Sequence, residues 1–342
     1  MSISDRKLMI LKAIVDDYIM TGTPVGSRTI AKKSDINVSP ATIRNEMADL
    51  EEEGYLEQPH TSAGRKPSDK AYRLYVDTLM RASSLTNEEI SFLKQYMKNK
   101  FSDVSNVVET VAETLSELTN LTSVVLVPDA KNKELQRIQI VNLGEHNALV
   151  LFVFRDGDVK NFRVKTPKDI DDQYLDNISN WLTDFVKGKT LEVALTDMKE
   201  LSMDDIDVYQ QFGLNLLNMV LNNVESSGSK NIVLGGAKNI FNYPEYQDIN
   251  EARNFLTLLD TKDALYKVLA DNKDLELSIR IGKENDREEL KNMSVVTATY
   301  RMDNKEIGTF GVIGPTRMDY AKVITILHYI SESMDTIFKN EK

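Results

Sequence analysis

Apolar residues near the start of the chain fall at Leu8, Leu11, Ile14, Val15, Tyr18 and Ile19, with Lys12, Asp16 and Asp17 between them. This spacing predicts a helix over 4–20 with one buried stripe. Thr21-Gly22-Thr23-Pro24 stops it. A short helix over 28–34 follows, capped by Ser27, with Ile30 and Ala31 facing inward. Asp35-Ile36-Asn37-Val38 reads as a turn. Ser39 is then a natural N-cap, and Pro40 sits at the first helical position, where its missing N–H costs nothing. The third helix runs to about Glu53, and Gly54 ends it. Ile43, Met47 and Leu50 form its apolar stripe at i, i+4, i+7. Tyr55-Leu56 and the stretch near 66–68 predict two short strands around a loop at 59–65, and helix resumes from Asp69 through Met80.

The spacing stays helical over about 86–100 and 103–120, then changes near Thr122. Ser123–Val127, Leu135–Val141, Ala148–Phe154 and Val159–Lys165 read as strands, with Asp156-Gly157 as a hairpin turn. Helices are predicted at 172–186 and 204–225, a short strand at Asn231–Leu234, and a Tyr/Asn/Pro loop at 239–247. Helices at about 250–259 and 261–271 precede strands at 275–281, 293–301 and 306–313, and a final helix at about 319–338. This order predicts an α+β, multidomain chain. It consists of a head over 1–80, a helical linker region over 81–120, and a strand-rich domain made of 121–200 with 275–342. A mainly helical insertion at 201–274 interrupts that domain.

A length of 342 residues fits two or three domains, and 41% hydrophobic residues suffice for their cores. No apolar run approaches a membrane span, and Met1-Ser2-Ile3-Ser4-Asp5-Arg6 lacks a signal-peptide core. The chain has no cysteine, which removes disulfides and thiolate metal sites and is compatible with a cytoplasmic protein. The net charge of -11 argues at first against nucleic acid. Its distribution does not: residues 1–73 hold 11 basic and 11 acidic side chains, and within 58–73 four basic face one acidic. DNA contact needs a local basic surface, not a basic protein.

The third helix shows Ala41, Asn45 and Ala48 opposite its apolar stripe, flanked by Thr42 and Arg44. Small alanines allow close approach to a groove floor. Asn45 suits adenine, Arg44 guanine or phosphate, and Thr42 and Ala41 a thymine methyl. Ser39 and the free N–H groups at the helix start suit a phosphate. Arg28, Lys32 and Lys33 on the preceding helix are placed to neutralise backbone phosphates. Glu51-Glu52-Glu53 at the far end would repel DNA, so only the N-terminal half is expected to enter the major groove. Three helices alone fit a small subdomain with a solvated polar face equally well. The small, flexible loop His60-Thr61-Ser62-Ala63-Gly64, tipped by Arg65 and Lys66, favours a winged helix-turn-helix.

Other chemistry is weaker. His60, His146 and His328 lack metal-ligand spacing. Gly235-Gly236-Ala237-Lys238 lacks the full phosphate-loop pattern and reads as a turn. Gly308, Gly311 and Gly314 fit a strand ending in a packed turn better than a nucleotide fingerprint. Trp181 reads as packing. No catalytic set, cofactor or metal site is expected.

Ser39-Pro40-Ala41-Thr42-Ile43-Arg44-Asn45-Glu46-Met47 resembles the recognition helix of the HrcA family, the heat-inducible transcription repressors of bacteria. Pro59–Arg65 with Pro67, Asp69-Lys70, Tyr72-Arg73 and Tyr75-Val76-Asp77 resembles that family's wing and the helix after it. Lys66 and Ser68 depart from the aliphatic residue and threonine usual there. Leu234-Gly235-Gly236 with Asn239-Ile240 and Pro244-Glu245-Tyr246 is similar to the family's middle, and Ile313–Tyr320 to its C-terminal signature. The resemblance implies a winged-helix domain, a GAF-like domain, and a dimerising domain inserted within the latter at 201–274. It also implies repression of GroE- and DnaK-type chaperone operons through the CIRCE inverted repeat, with help from the chaperonin GroEL. An inverted-repeat site requires a two-fold dimer. Leu214, Leu217, Val220, Leu221, Phe255, Leu258 and Leu259 could form its seam, or could equally be intramolecular core. An alternative is a ligand-gated regulator with an effector in the GAF-like domain.

Overall fold

In a computed structural model the chain is described over residues 3–33, 38–60, 63–81, 84–100, 107–126, 133–155, 157, 159–166, 171–200, 211–219, 232–270, 276–302 and 305–340. It divides into two units. The first comprises Met1–Met97, Glu109–Leu126 and Val233–Lys342; the second comprises Lys98–Val108 with Val127–Ile232.

The first unit opens with helices α1 (Asp5–Thr21), α2 (Ser27–Lys33) and α3 (Pro40–Glu52), then strands β1 (Leu56–Glu57) and β2 (Lys66–Pro67). Ile10, Leu11, Ile14 and Val15 of α1 meet Ile30, Ile43, Met47 and Leu50 in the core of this head. Ser4 caps α1, its hydroxyl accepting from the Lys7 N–H. The two strands pair antiparallel, Leu56 opposite Pro67 and Glu57 opposite Lys66. Ser68 caps α4 (Asp69–Leu74), which continues as a π-turn through Leu79. Helices α5 (Asn87–Lys100) and α6 (Val107–Thr119) lead to β3 (Thr122–Leu126).

Beyond Leu126 the chain builds the second unit. Strands β4 (Leu135–Gly144), β5 (Asn147–Phe154) and β6 (Val159–Lys165) form an antiparallel meander. Ile138, Ile140, Val150, Phe152 and Phe154 alternate onto one face and pack on Leu175, Ile178, Leu182 and Val186 of α7 (Asp172–Val186). Helix α8 (Leu191–Glu200) and a helix α9 over 211–219 add Leu191, Leu195, Leu216 and Leu217 to this core.

The chain then completes the first unit with β7 (Ile232–Gly235), α10 (Ile249–Asp260), α11 (Lys262–Ala270), β8 (Leu277–Ile281), β9 (Met293–Met302), β10 (Lys305–Pro315) and α12 (Tyr320–Asn340). The sheet order is β7-β3-β10-β9-β8. β10 pairs antiparallel with both β3 and β9, and α12 packs on β9 and β10.

This division differs from the expected boundaries. Residues 122–126 do join the C-terminal strands, but β4–β6 form a separate sheet and fall in the second unit. Helices α10 and α11, expected within 201–274, belong to the first unit. A hairpin meander closes locally and buries its apolar face on the helix that follows, so it needs no strand from elsewhere. Helix α8 was not expected. Of the possible seam residues, Leu217, Phe255, Leu258 and Leu259 are buried in the single chain, and Leu214 packs partly against the second unit's core. They are intramolecular packing, divided between two units, while Val220 and Leu221 lie outside the described residues. Much of the helix expected over 204–225 also lies outside them, as do Asp35-Ile36-Asn37, Thr61, Ser62 and Asp156.

Gly235 and Gly236 form a packed turn, not a phosphate loop. A Cβ on Gly235 would lie 2.4 Å from the Ala112 carbonyl oxygen, and one on Gly236 would overlap Ser116. Gly308, Gly311 and Gly314 lie within β10.

Candidate nucleic-acid interface

Helix α3 begins where its sequence dictates. Ser39 is extended (φ -66°, ψ 152°), its hydroxyl accepts from the Thr42 N–H at 3.1 Å, and Pro40 occupies the first turn. Capping of this kind is worth about 1 kcal/mol. Ile43, Met47 and Leu50 are buried, so the helix's opposite face is fixed outward. Ala41, Arg44, Asn45 and Ala48 are exposed there, with Thr42 half-buried at the edge. Ser39 is exposed beside them, its Oγ 3.0 Å from Thr42 Oγ1.

Arg28 and Lys32 are exposed on α2, four positions apart and hence on one face. Lys33 ends α2, and its side chain lies outside the described ones. Among the described residues Arg28, Lys32 and Arg44 make no ion pair. Other cations of the head are engaged. Lys7 Nζ lies 2.7 Å from Glu53 Oε1 and 3.2 Å from Asp49 Oδ2. The Glu53 hydrogen bond, seconded by Asp49, holds the Lys7 ammonium above its usual pKa. Lys12 Nζ pairs with Asp16 at 2.5 Å, and Lys70 Nζ lies 4.1 Å above the Tyr55 ring while donating to the Glu53 carbonyl.

The expected wing cations are placed differently from one another. Arg65 Nη2 lies 2.7 Å from Glu51 Oε2, and its backbone forms a two-bond bridge with Val25. Arg65 is therefore a pinned side chain that neutralises the acidic end of α3. Lys66 Nζ meets Glu57 across the ribbon at 3.1 Å and remains half-exposed. His60 is exposed at the ribbon's end. Ser68, where threonine was expected, keeps the hydroxyl that caps α4 and donates to the Gly54 carbonyl at 2.7 Å.

One side chain of α3 escaped the sequence reading. Glu46, expected on neither face, is 7% exposed and accepts from Arg6 Nε at 2.7 Å. The signal was available: a carboxylate beside Met47, within the stripe of Ile43 and Leu50, must find a cation. The head also carries Arg73, whose Nε donates to Glu284 Oε1 at 2.8 Å. Burial opposes ionisation of Glu284, but the Arg73 guanidinium and the Ile281 N–H outweigh it and hold the carboxyl below its usual range.

Among the described residues no group of three or more His, Asp or Glu could hold a metal ion, and no helix is long and apolar enough to cross a membrane. A cavity of about 160 Å³ lies between the end of α1 and the start of α12, lined in part by Met20, Leu121, Tyr243 and Met318.

Comparison with known proteins gives the family of the whole chain. Residues 105–324 match the family model described as the HrcA protein C-terminal domain. The heat-inducible transcription repressor HrcA of Acetivibrio thermocellus is 41% identical over 98% of this chain and 96% of its own length. That of Clostridium tetani is 40% identical over 100% of this chain and 97% of its own. A crystal structure of a hypothetical protein at 2.2 Å resolution covers 100% of both chains with a TM-score of 0.65 and 22% identity, a likeness of fold alone. These relatives are named as repressors of transcription, not as enzymes, and by this similarity over its whole length the chain belongs to the HrcA family of heat-inducible transcription repressors.

Proposed function

We propose that this chain represses transcription by binding double-stranded DNA through the exposed half of α3. The head then acts as a winged helix-turn-helix: Ala41, Thr42, Arg44 and Asn45 face base edges, and Ser39 and the start of α3 hold a phosphate. Arg28, Lys32 and Lys33 contact the backbone of the duplex. One observation carries the reading. Arg28, Lys32 and Arg44 have no acidic partner among the described residues, while Arg6, Lys7, Lys12, Arg65 and Lys66 are each paired within the head. The uncommitted positive charge lies on α2 and on the half of α3 free of Glu51-Glu52-Glu53. Lys66 adds a weaker phosphate contact from the ribbon, and Arg65 supports the ribbon's position.

Family membership supports the finer reading. The operator is the CIRCE inverted repeat before GroE- and DnaK-type chaperone operons, bound by a homodimer in the cytoplasm. Heat shock releases it, and GroEL restores the active form. The sheet and helices of the first unit beyond the head supply the GAF-like domain. The effector-gated alternative gains little from the cavity of about 160 Å³, because ligand sites usually span about 300–1,000 Å³. Footprinting of the purified chain on the source organism's chaperone promoters tests the proposal. Protection of an inverted repeat is expected; weak binding spread evenly along the DNA overturns it.

A further inference from the structure

Arg317 stands in the turn between β10 and α12, 8% exposed. Its Nη1 donates to the carbonyl of Ile19, in the last turn of α1, at 3.2 Å. Nε and Nη2 donate to the two carboxylate oxygens of Glu245, the latter at 3.2 Å, and the guanidinium lies 5.1 Å from the Tyr243 ring centroid. A cation at a helix C-terminus meets the negative end of the helix dipole, and a planar guanidinium with three directional partners defines an orientation as well as an attraction.

A second attachment runs through α4. Arg73 on α4 donates to Glu284 and, through Nη2, to the Ile279 carbonyl of β8 at 2.7 Å. Asp69 Oδ2 accepts from the Lys283 N–H at 3.0 Å. Between the two, the buried rings of Tyr72 and Tyr320 lie 6.1 Å apart. A single point of attachment would leave the head free to turn about that point. Two points on different helices, with a packed aromatic pair between them, remove that freedom.

We infer that Arg317 and Arg73 are positioning residues that fix the heading of α3 relative to the sheet of the first unit, and so set which separation of two inverted half-sites a pair of these chains accepts. The inference rests on the repressor reading above. Each added base pair turns one half-site by about 34° about the duplex axis and moves it about 3.4 Å. A fixed pair of heads tolerates little of this, and a swivelling pair tolerates much.

The test uses the full-length chain and duplexes carrying the footprinted inverted repeat with its spacer changed by one to three base pairs either way. Binding is measured by fluorescence anisotropy, alongside a duplex with one half-site. The parent chain is expected to lose about 30-fold or more in affinity two base pairs from its optimum. Arg317→Met, Arg73→Met and the more exposed Glu284→Gln are expected to flatten this to about threefold or less, with half-site affinity kept within about twofold. A role in folding alone would weaken both kinds of duplex together and leave the spacer profile unchanged. A variant profile as sharp as the parent's overturns the inference while leaving the repressor reading intact. Should Arg317→Met fail to fold, Arg73→Met and Glu284→Gln decide alone. A parent chain that binds no inverted repeat at any spacing overturns both.

Discussion

Gly64→Ala tests whether the ribbon's position depends on its contact with the α1–α2 connection. An ideal Cβ at Gly64 would sit 2.5 Å from both the carbonyl carbon and oxygen of Val25 and 2.7 Å from the carbonyl carbon of Pro24. All three are backbone atoms and cannot rotate away. Reaching ordinary contact at 3.4 Å requires an opening of about 0.9 Å. The bridge there consists of Val25 N–H to Arg65 O at 2.8 Å and Arg65 N–H to Val25 O at 2.9 Å. An opening of that size stretches both bonds to about 3.7 Å, past useful length. Losing two such bonds costs about 1–3 kcal/mol; keeping them means overpacking at about 1–3 kcal/mol. With buried Val25 partly uncovered as well, about 2–3 kcal/mol is expected. The readout is amide hydrogen exchange at Val25 and Arg65, because a chain of several domains has no single unfolding free energy. Protection should fall by about 30- to 140-fold. Gly54→Ala is the control: its φ of +79° disfavours alanine, but nothing lies within 4 Å of the added methyl. That variant should cost about 1–2 kcal/mol and leave the Val25–Arg65 bridge protected. Unchanged protection in Gly64→Ala would refute the reasoning.

Asn45→Ala should cost about 1–3 kcal/mol on the specific operator and relax base preference at one position, read by competition with single-base variants. Arg28→Ala and Lys32→Ala should instead weaken all DNA alike, each lowering the slope of log affinity against log salt by about one. Arg6→Ala should destabilise the head more than Glu46→Gln, since the first strands a carboxylate whose side chain is 9% exposed and the second frees an arginine that is 53% exposed; hydrogen exchange in α3 reports the difference. Glu284 is held below its usual carboxylate range, so its contribution is complete above the unfolded value near 4.5 and disappears as pH falls through the lower folded value. Exchange at the Ile281 amide, which donates to Glu284, should therefore quicken on acidification below about pH 4.5 relative to the intrinsic rate, and less so in Glu284→Gln.

The helical stretches of the head were legible because their determinants are local. Ser39, Pro40 and the Ile43–Met47–Leu50 spacing specify the start and the buried side of α3 within one segment of chain. Strand positions were legible for the same reason, since alternation in β5 is visible residue by residue. Sheet membership was not. β3 and β4 read alike in sequence, yet β3 pairs with β10 and β4 with β5. A hairpin partner lies next along the chain, whereas the partner of β3 lies beyond the whole second unit, and periodicity carries no information about such pairing.

The polar side of the head shows the same divide between local and distant. Which residues of α3 face outward follows from its core stripe, but the sign of the surface does not follow from counting charges. Eleven basic and eleven acidic residues over 1–73 suggest neutrality. Folding sorts them unequally: Glu46, Asp49 and Glu53 are met by Arg6 and Lys7 from α1, some forty positions earlier, and Glu51 by Arg65 from the ribbon. Paired charges a few ångströms apart cancel at the distance of a duplex, while Arg28, Lys32 and Arg44 do not. On the proposed DNA-binding reading, the acidic end of α3 would repel a duplex less than its sequence implies, because Arg65 offsets Glu51. Arg65→Ala should therefore act on DNA chiefly by exposing Glu51: affinity falls, but by a margin that largely disappears in an Arg65→Ala, Glu51→Ala double variant. A direct phosphate contact by Arg65 would leave the double variant as weak as the single one.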